Sequence, residues 1–241
     1  MMRSAPLLLL SKQEKHALSE SLQDGIAGYG DLFFMKPDHS GERFEVNYCG
    51  ARFLCEITQS DGNHVGLKQI MLNADFPAVR SAIELNFSAT VATDPPVLPI
   101  VTGLLSVGAK LAEFLELSAV VWRPAKLASG PDFFIRSIGS FASGGAFPAL
   151  SLVRFINEGA GAIRTSGLSW FSGQEIEFEM SGLDEKAAMR RIVRVVHDIA
   201  VNGPVVEEVE VGGLEPNEKL HISLSAGRSL VRVGISSNTD L

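Results

Sequence analysis

The sequence is poor in cysteine, and this absence excludes a disulfide-stapled secreted domain. Only two of the 241 residues are cysteines, Cys49 and Cys55. They lie on the two arms of a hairpin predicted to turn near Gly50, in positions that do not face each other. We therefore expect two reduced core thiols in a cytoplasmic protein, in preference to a disulfide or a redox pair.

Clustered positive charge is also absent. The formal net charge is −7 at pH 7, and the lysines and arginines are dispersed along the chain. Nucleic-acid binding requires basic residues gathered on one surface to neutralise phosphates. We therefore expect no nucleic-acid partner.

The apolar runs are short. Residues 95–109 carry no charge but fall below the ~20 residues that a membrane-crossing helix needs. Residues 7–10 are too few for the core of a signal peptide, and Lys12 and Lys15 follow them at once. The sequence thus predicts a buried first strand, no membrane span and a cytoplasmic location.

The motifs of common enzymes are missing as well. Residues 139–145 have the glycines of a phosphate-binding loop but no following lysine. Ser169 has Gly167 two residues before it but Phe171 two residues after it, which breaks the pattern of a serine nucleophile elbow. We expect no catalytic residue from these motifs and no cofactor.

Histidines are few and scattered. None of the five has the spacing of a zinc-binding helix, and they are His16, His39, His64, His197 and His221. We expect no metal site. One alternative stays open, in which His39 or His64 converges in space with Glu175 or Glu177.

The stretch 162–203 is the most informative part of the chain. Residues 174–180 alternate strictly between apolar side chains and carboxylates. A period of two indicates a half-buried strand, with Ile176 and Phe178 inside. The carboxylates outside, Glu175, Glu177 and Glu179, are either a solvated face or a docking edge for a basic partner.

An aromatic pair and a basic helix flank this strand. Trp170 and Phe171 lie between Gly167 and Gly173, at a bend where they either pack into the core or anchor a ligand. A helix is predicted to start with Ser181 as its cap and Asp184 in its first turn, and to end at the Asn202-Gly203-Pro204 stop. One face of this helix is apolar, and another carries Lys186, Arg190 and Arg194. Like the acidic stripe, this basic stripe is either a solvated face or a docking surface for a partner.

The order of predicted elements indicates an α+β fold with mixed or antiparallel sheets and helices packed on one face. Residues 1–93 read as β-α-β-β-α-β, including a helix over 76–84, so two ferredoxin-like halves are one arrangement that fits. A long helix is predicted to start at Asp94, a short helix at 131–141 and a strand at 150–156. We place a boundary between halves 1–93 and 94–241, although one compact domain remains open.

A family resemblance lies in the same stretch. The run Thr165-x-Gly167-Leu168-x-x-Phe171, then Glu175-Ile176-Glu177, then a helix ending in Asn202-Gly203-Pro204-Val205, resembles the C-terminal motif of the bacterial domain-of-unknown-function family numbered 4261. Ser172 stands where that family's glycine is expected. The resemblance covers most of residues 85–235 and implies a bacterial, intracellular α+β protein, without an activity to transfer.

Two functions follow as expectations. The first is a non-catalytic interaction or binding protein that contacts another protein or a second copy of itself. Its candidate binding residues are Trp170, Phe171, Glu175, Glu177, Arg190 and Arg194. The alternative is a hydrolase-like enzyme that uses Glu175 and Glu177 with a histidine from elsewhere, and it requires those carboxylates to lie in a concave pocket.

Overall fold

A computed structural model of the chain describes residues 4–26, 33–34, 38, 40–60, 66–72, 78–88, 97–157, 159, 161–180 and 182–237. These residues form two compact units, Met1–Ala146 and Phe147–Leu241. Each unit contains one mixed sheet together with helices, which confirms the predicted α+β class. Within the described residues, no helix is both long and apolar enough to cross a membrane.

The first unit is built on an eight-stranded sheet in the order β2-β3-β4-β6-β1-β7-β8-β5. Its strands are β1 (Leu7–Ser11), β2 (Phe33–Phe34), β3 (Arg43–Tyr48), β4 (Ala51–Gln59), β5 (Lys68–Ile70), β6 (Ser81–Phe87), β7 (Leu117–Trp122) and β8 (Leu127–Ser129). Its helices are α1 (Lys15–Ile26), α2 (Leu98–Phe114) and α3 (Pro131–Ala142). All pairings are antiparallel except that of β5 with β8.

Strand β1 is buried on both of its faces. On the helix face, α2 approaches closely at Gly108, where an added Cβ would clash with the side chain of Leu7. On the outer face, Leu8 and Leu10 belong to an apolar cluster. That cluster contains Ala82, Ala119, Val121 and Ala128 and is packed against Leu67, Leu72 and Val79. The unbroken leucine run therefore reflects a strand covered from both sides.

The predicted hairpin is formed by β3 and β4. Cys49 and Gly50 occupy its turn with φ of 49° and 79°, the left-handed pair of angles that a two-residue hairpin turn requires. Both cysteines are free, but only Cys55 is the expected core thiol, because the turn leaves Cys49 exposed. Burial raises the pKa of the Cys55 thiol, so it stays protonated and unreactive.

The second unit is built on a six-stranded sheet in the order β12-β13-β14-β11-β10-β9. Its strands are β9 (Arg154–Asn157), β10 (Ala162–Ser166), β11 (Glu175–Glu179), β12 (Val209–Gly212), β13 (Glu218–Leu224) and β14 (Leu230–Ser237). Its helices are α4 (Ala149–Leu152), α5 (Ser169–Ser172) and α6 (Glu185–Asn202). Strands β11 and β14 run parallel, and the other neighbours are antiparallel.

The division into units differs from the one that we placed between residues 93 and 94. Strand β7 pairs with β1, and α2 packs on the same strand. Residues 97–146 therefore belong to the first unit. The long helix predicted to start at Asp94, which lies outside the described residues, begins at Leu98, after Val97 in extended backbone.

Two predicted elements are wrong. The helix over 76–84 is absent where the structure describes it, because β6 occupies Ser81–Phe87. There Ile83 and Leu85 are buried at the spacing of a strand. The strand over 150–156 begins instead as helix α4, because Ala149 and Leu152, three residues apart, both turn inward.

The ferredoxin-like halves are not confirmed. That arrangement places a helix between two parallel strands that flank a third. In the first unit, β6 lies between β1 and β4, so the β3–β4 hairpin does not pair with β1. Its sheet also has eight described strands rather than four.

Candidate functional site

Strand β11 separates its side chains as the alternation predicts. Ile176 and Phe178 are completely buried on the helix face of the second sheet. The inward residues of α6 on the same face are buried as well: Ala188, Ile192, Val195, Val196 and Ile199. The three glutamates of β11 consequently point to the outer face, but the structure gives each of them a different environment.

Glu175 caps the short helix α5. Its Oε1 accepts hydrogen bonds from the amides of Gly167 (2.8 Å) and Ser169 (3.0 Å) and from the Ser169 hydroxyl (2.6 Å). Its Oε2 accepts from the Thr165 hydroxyl (2.7 Å) and the Leu168 amide (3.2 Å). A carboxylate at a helix start satisfies amides that have no partner within the helix. Glu175 thus holds the turn between β10 and β11 in place.

Glu177 is held between two arginines on the neighbouring strands. Arg164 donates from Nε to Oε2 (2.6 Å) and also forms an ion pair through its terminal nitrogen, while Arg232 donates from Nε to Oε1 (3.3 Å). The hydrogen bond from Arg164 is the main cause of the lowered pKa of Glu177, and Arg232 adds to it. The Glu177 side chain is 15% exposed, whereas those of Arg164 and Arg232 are 46% and 54% exposed.

Glu179 is the exposed member of the series. Its neighbour on β14 is Gly234, and an added Cβ there would lie 3.6 Å from Glu179 Oε2. His221 pairs with Gly234 from the next strand, and Glu210 pairs with His221 from β12. The outer face at this level therefore carries exposed titratable groups on strands β11, β13 and β12.

The aromatic pair lies on α5, between two glycines with positive φ, 98° at Gly167 and 76° at Gly173. Trp170 and Phe171 pack edge to face with ring centroids 5.0 Å apart, and Phe147 packs on Phe171 in the same way at 5.1 Å. Both residues of the pair are half-buried. The predicted bend is therefore a helical turn whose aromatic rings are engaged with one another.

The basic stripe of α6 lies away from the glutamates. Lys186, Arg190 and Arg194 are exposed, and the Arg194 guanidinium donates to the carbonyl of Gly213 (2.8 Å). Because α6 packs on the helix face and the glutamates lie on the outer face, the structure does not bring the predicted stripes together. The predicted binding residues are distributed over both sides of the layer formed by α6 and the sheet.

A buried ion pair escaped the sequence analysis. Arg191 donates from Nε to Glu218 Oε1 (2.8 Å) and from a terminal nitrogen to Oε2, and their side chains are only 5% and 8% exposed. Leu214 adds an amide donor to Oε1 (3.2 Å). The hydrogen bond from Arg191 lowers the pKa of Glu218, which in turn raises the pKa of Arg191. This pair fastens the β12–β13 hairpin to α6.

Gln174 is a second residue that the sequence analysis missed. Its buried amide donates to the carbonyls of Val205 and Arg228, both at 2.9 Å, and its oxygen accepts from the Val205 amide at 2.8 Å. The Arg228 guanidinium also donates to the carbonyl of Val206. Gln174 therefore fixes the segment between α6 and β12 against the start of β11.

Acid–base and metal chemistry receive little support from these positions. Among the described residues, no group of three or more histidine, cysteine or acidic side chains is placed to hold a metal ion. His39 and His64 lie outside the described residues. His197 accepts a hydrogen bond at Nδ1 from the amide of Phe147 (3.0 Å), and His221 lies on the outer face two strands from β11.

No protein-family model, no curated protein and no solved structure matches this chain. Its function is therefore argued from its own geometry.

Proposed function

We propose that this chain is a non-catalytic binding protein and that its second unit recognises another protein. The binding surface is the outer face of the six-stranded sheet together with its free edge at β12. The observation that carries this proposal is the Arg164–Glu177–Arg232 cluster, because it leaves two half-exposed guanidiniums fixed on an uncovered face.

Fixed side chains favour binding because they lose little freedom when a partner arrives. Arg164 and Arg232 are held by the same carboxylate, and the glutamate is in turn held between them. Arginine is also enriched among the residues that dominate protein interfaces. The outer face thus offers an ordered charged surface that requires no rearrangement of the core beneath it.

The hydrolase-like alternative is less well supported. A general base needs a lone pair directed at the substrate and a pKa near the working pH. Both oxygens of Glu175 already accept hydrogen bonds, and the pKa of Glu177 is lowered. Within the described part of the chain, neither carboxylate has a histidine among its hydrogen-bond partners.

The family assignment belongs to the same proposal. Membership of the bacterial family numbered 4261 rests on the residues from Thr165 to Val205 and would place the protein in a bacterial cytoplasm. Glu175 and Gly167 belong to that motif, and here they join in capping α5. Capping of α5 therefore explains these two motif residues by their structural role, without a catalytic one.

The test is selection of random displayed peptides on the full-length protein, followed by calorimetry of the enriched sequences. We expect at least one enriched peptide whose affinity falls about tenfold or more in Arg232→Ala or in Glu210→Gln. The same peptide should bind the control variant Glu116→Gln, an exposed position of the first unit, as it binds wild type.

Two outcomes would contradict the proposal. One is that every enriched peptide binds both second-unit variants as tightly as wild type. The other is hydrolysis of ester, phosphoester or peptide substrates by the wild-type protein that Glu177→Gln abolishes while the melting temperature is kept, which would favour the enzyme.

A further inference from the structure

Strand β12 forms one end of the second sheet, and among the described residues it pairs only with β13. The amide of Gly213 donates to the carbonyl of Glu218 (2.8 Å), so this residue directs its backbone groups toward β13. In an antiparallel pair this direction alternates along the strand. Val211 and Val209 therefore also bond inward, and the backbone N–H and C=O of Glu210 point away from the sheet.

The side chains along this edge are acidic and apolar. Glu207, Glu208 and Glu210 are all exposed, and the only ion pair that the structure gives them is Lys219 with Glu210 at 3.1 Å. Two neighbouring valines are also open to solvent, Val206 just before Glu207 at 66% and Val209 between Glu208 and Glu210 at 40%. An exposed strand edge with apolar side chains is a template for another strand.

The edge is held in place before any partner arrives. The Gln174 side chain forms hydrogen bonds with both the backbone amide and the backbone carbonyl of Val205, and the Arg228 guanidinium donates to the carbonyl of Val206. At the other end of β12, Arg194 takes the carbonyl of Gly213. Binding of a strand here would therefore cost little conformational entropy in the β12 edge.

The charge of the edge selects its occupant. If β12 and the two residues before it paired with the same segment of a second copy, Glu207, Glu208 and Glu210 would lie near the glutamates of that copy, and like charges so placed are destabilising. A strand that carries lysine or arginine at alternate positions would instead place cations beside them. The acidic side chains thus guard against self-pairing and leave the edge open to a basic strand.

We propose that the β12 edge binds an extended segment of a partner protein in which basic residues alternate with β-branched apolar residues, by addition of a strand to the sheet. This inference rests on the proposed binding function and names the partner class. The partner's main chain continues the ladder at Glu210. Its apolar side chains face the side of Val209 and Val211, and its basic side chains face the glutamates.

The experiment uses the full-length protein and a blocked synthetic peptide of about ten residues, the length of a long strand, in which lysine alternates with valine. Two derivatives carry N-methyl groups on all lysines or on all valines, which removes backbone donors without changing charge. We expect one derivative to bind as the parent does and the other to lose binding by about tenfold or more, because only alternate amides face the edge.

A second arm tests the charge. The variant Glu207→Gln/Glu208→Gln/Glu210→Gln should weaken the parent peptide by about tenfold or more. The matched control Asp24→Asn/Glu116→Gln/Asp198→Asn, which removes the same charge at exposed positions elsewhere, should not. A glutamate-valine peptide should not bind wild type.

The outcomes separate this inference from the proposed function. If both methylated peptides bind equally, or if the two triple variants behave alike, strand addition at β12 is wrong. Binders enriched from the random library would still support a binding protein with its site elsewhere on the second unit. The inference would also be wrong if sedimentation showed dimers of the wild-type protein and none of Glu207→Gln/Glu208→Gln/Glu210→Gln, because a second copy would then occupy the edge.

Discussion

The outer faces of the two sheets differ in what lies on them. In the first unit, Leu8 and Leu10 are buried beneath Leu67, Leu72 and Val79. In the second unit, the outer face carries exposed Glu179 and Arg232. A sheet covered on both sides can bind a partner only at its edges, whereas a sheet covered on one side offers a whole face. The second unit is therefore the better candidate for recognition.

The two units also differ in how deeply an ion pair is buried. In the first unit, Arg123 binds Glu84 at 3.0 Å with both side chains about a third exposed. In the second unit, Arg191 and Glu218 are nearly completely buried. A buried pair has lost its hydration, so removal of one member leaves an uncompensated charge. The second unit thus depends more strongly on a single electrostatic contact.

The largest expected effect comes from breaking that contact. Arg191→Met leaves Glu218 buried and unpaired, and we expect a loss of about 3–5 kcal/mol in the free energy of unfolding. The matched substitution Arg123→Met should cost about 1 kcal/mol, since partly exposed pairs contribute little. Urea denaturation measures both. Equal losses would contradict the distinction between the two pairs.

The next effect tests whether the outer face of the first sheet is closed. Leu10→Ala removes a buried side chain from that face, and we expect a loss of about 2–5 kcal/mol. On the outer face of the second sheet, Arg232→Ala should cost less than about 1 kcal/mol, because that side chain is half-exposed. Thermal and urea unfolding would show the difference, and a small loss for Leu10→Ala would mean that the face is open.

A smaller effect separates the three glutamates that alternate along β11. Glu175→Ala leaves three amides of the α5 turn without their acceptor, at an expected cost of about 1–3 kcal/mol. Glu179→Ala should change stability by less than about 0.5 kcal/mol, because its side chain is exposed. Comparable values for the two variants would show that Glu175 does not cap α5.

The smallest effect is a dependence on pH. The pKa of Glu218 is lower in the folded chain than its ordinary value because Arg191 donates to it. Its contribution is therefore complete above the unfolded pKa of about 4.3 and is lost as the pH falls through the folded pKa. Glu218→Gln should flatten the acid limb of the stability curve below about pH 4 more than Asp38→Asn does. The Ser40 hydroxyl also lowers the pKa of Asp38, but Asp38 is exposed, so solvent screens its contribution to stability.

The fold was predictable wherever a pattern reported burial. Ile176 and Phe178 alternate with glutamates because one face of β11 is covered, and α6 ends at its predicted signal. Its start was predicted three residues too early, since Asp184 rather than Ser181 caps it. The helix predicted over 76–84 failed because the apolar residues of so short a segment fit a strand as well as a helix. The segment forms strand β6 because it pairs with β1 and β4. The sequence of the segment alone does not reveal this pairing.

The candidate site was predictable only in part. The stripe of Glu175, Glu177 and Glu179 is correct as geometry, but the backbone amides of the α5 turn decide that Glu175 is a cap. Arg191 had a signal that the sequence analysis overlooked, since it lies three residues after Ala188 and four before Val195 on the apolar face. Its partner Glu218 is distant in sequence, so only the fold identifies it.

The turn of the β3–β4 hairpin gives the protein a ready attachment point. Cys49 is exposed there, while Cys55 is enclosed and its thiol is held protonated. A maleimide dye should therefore react at one position of the native chain, without any engineered cysteine. Fluorescence from this label would report on unfolding of the first unit while changes are made in the second.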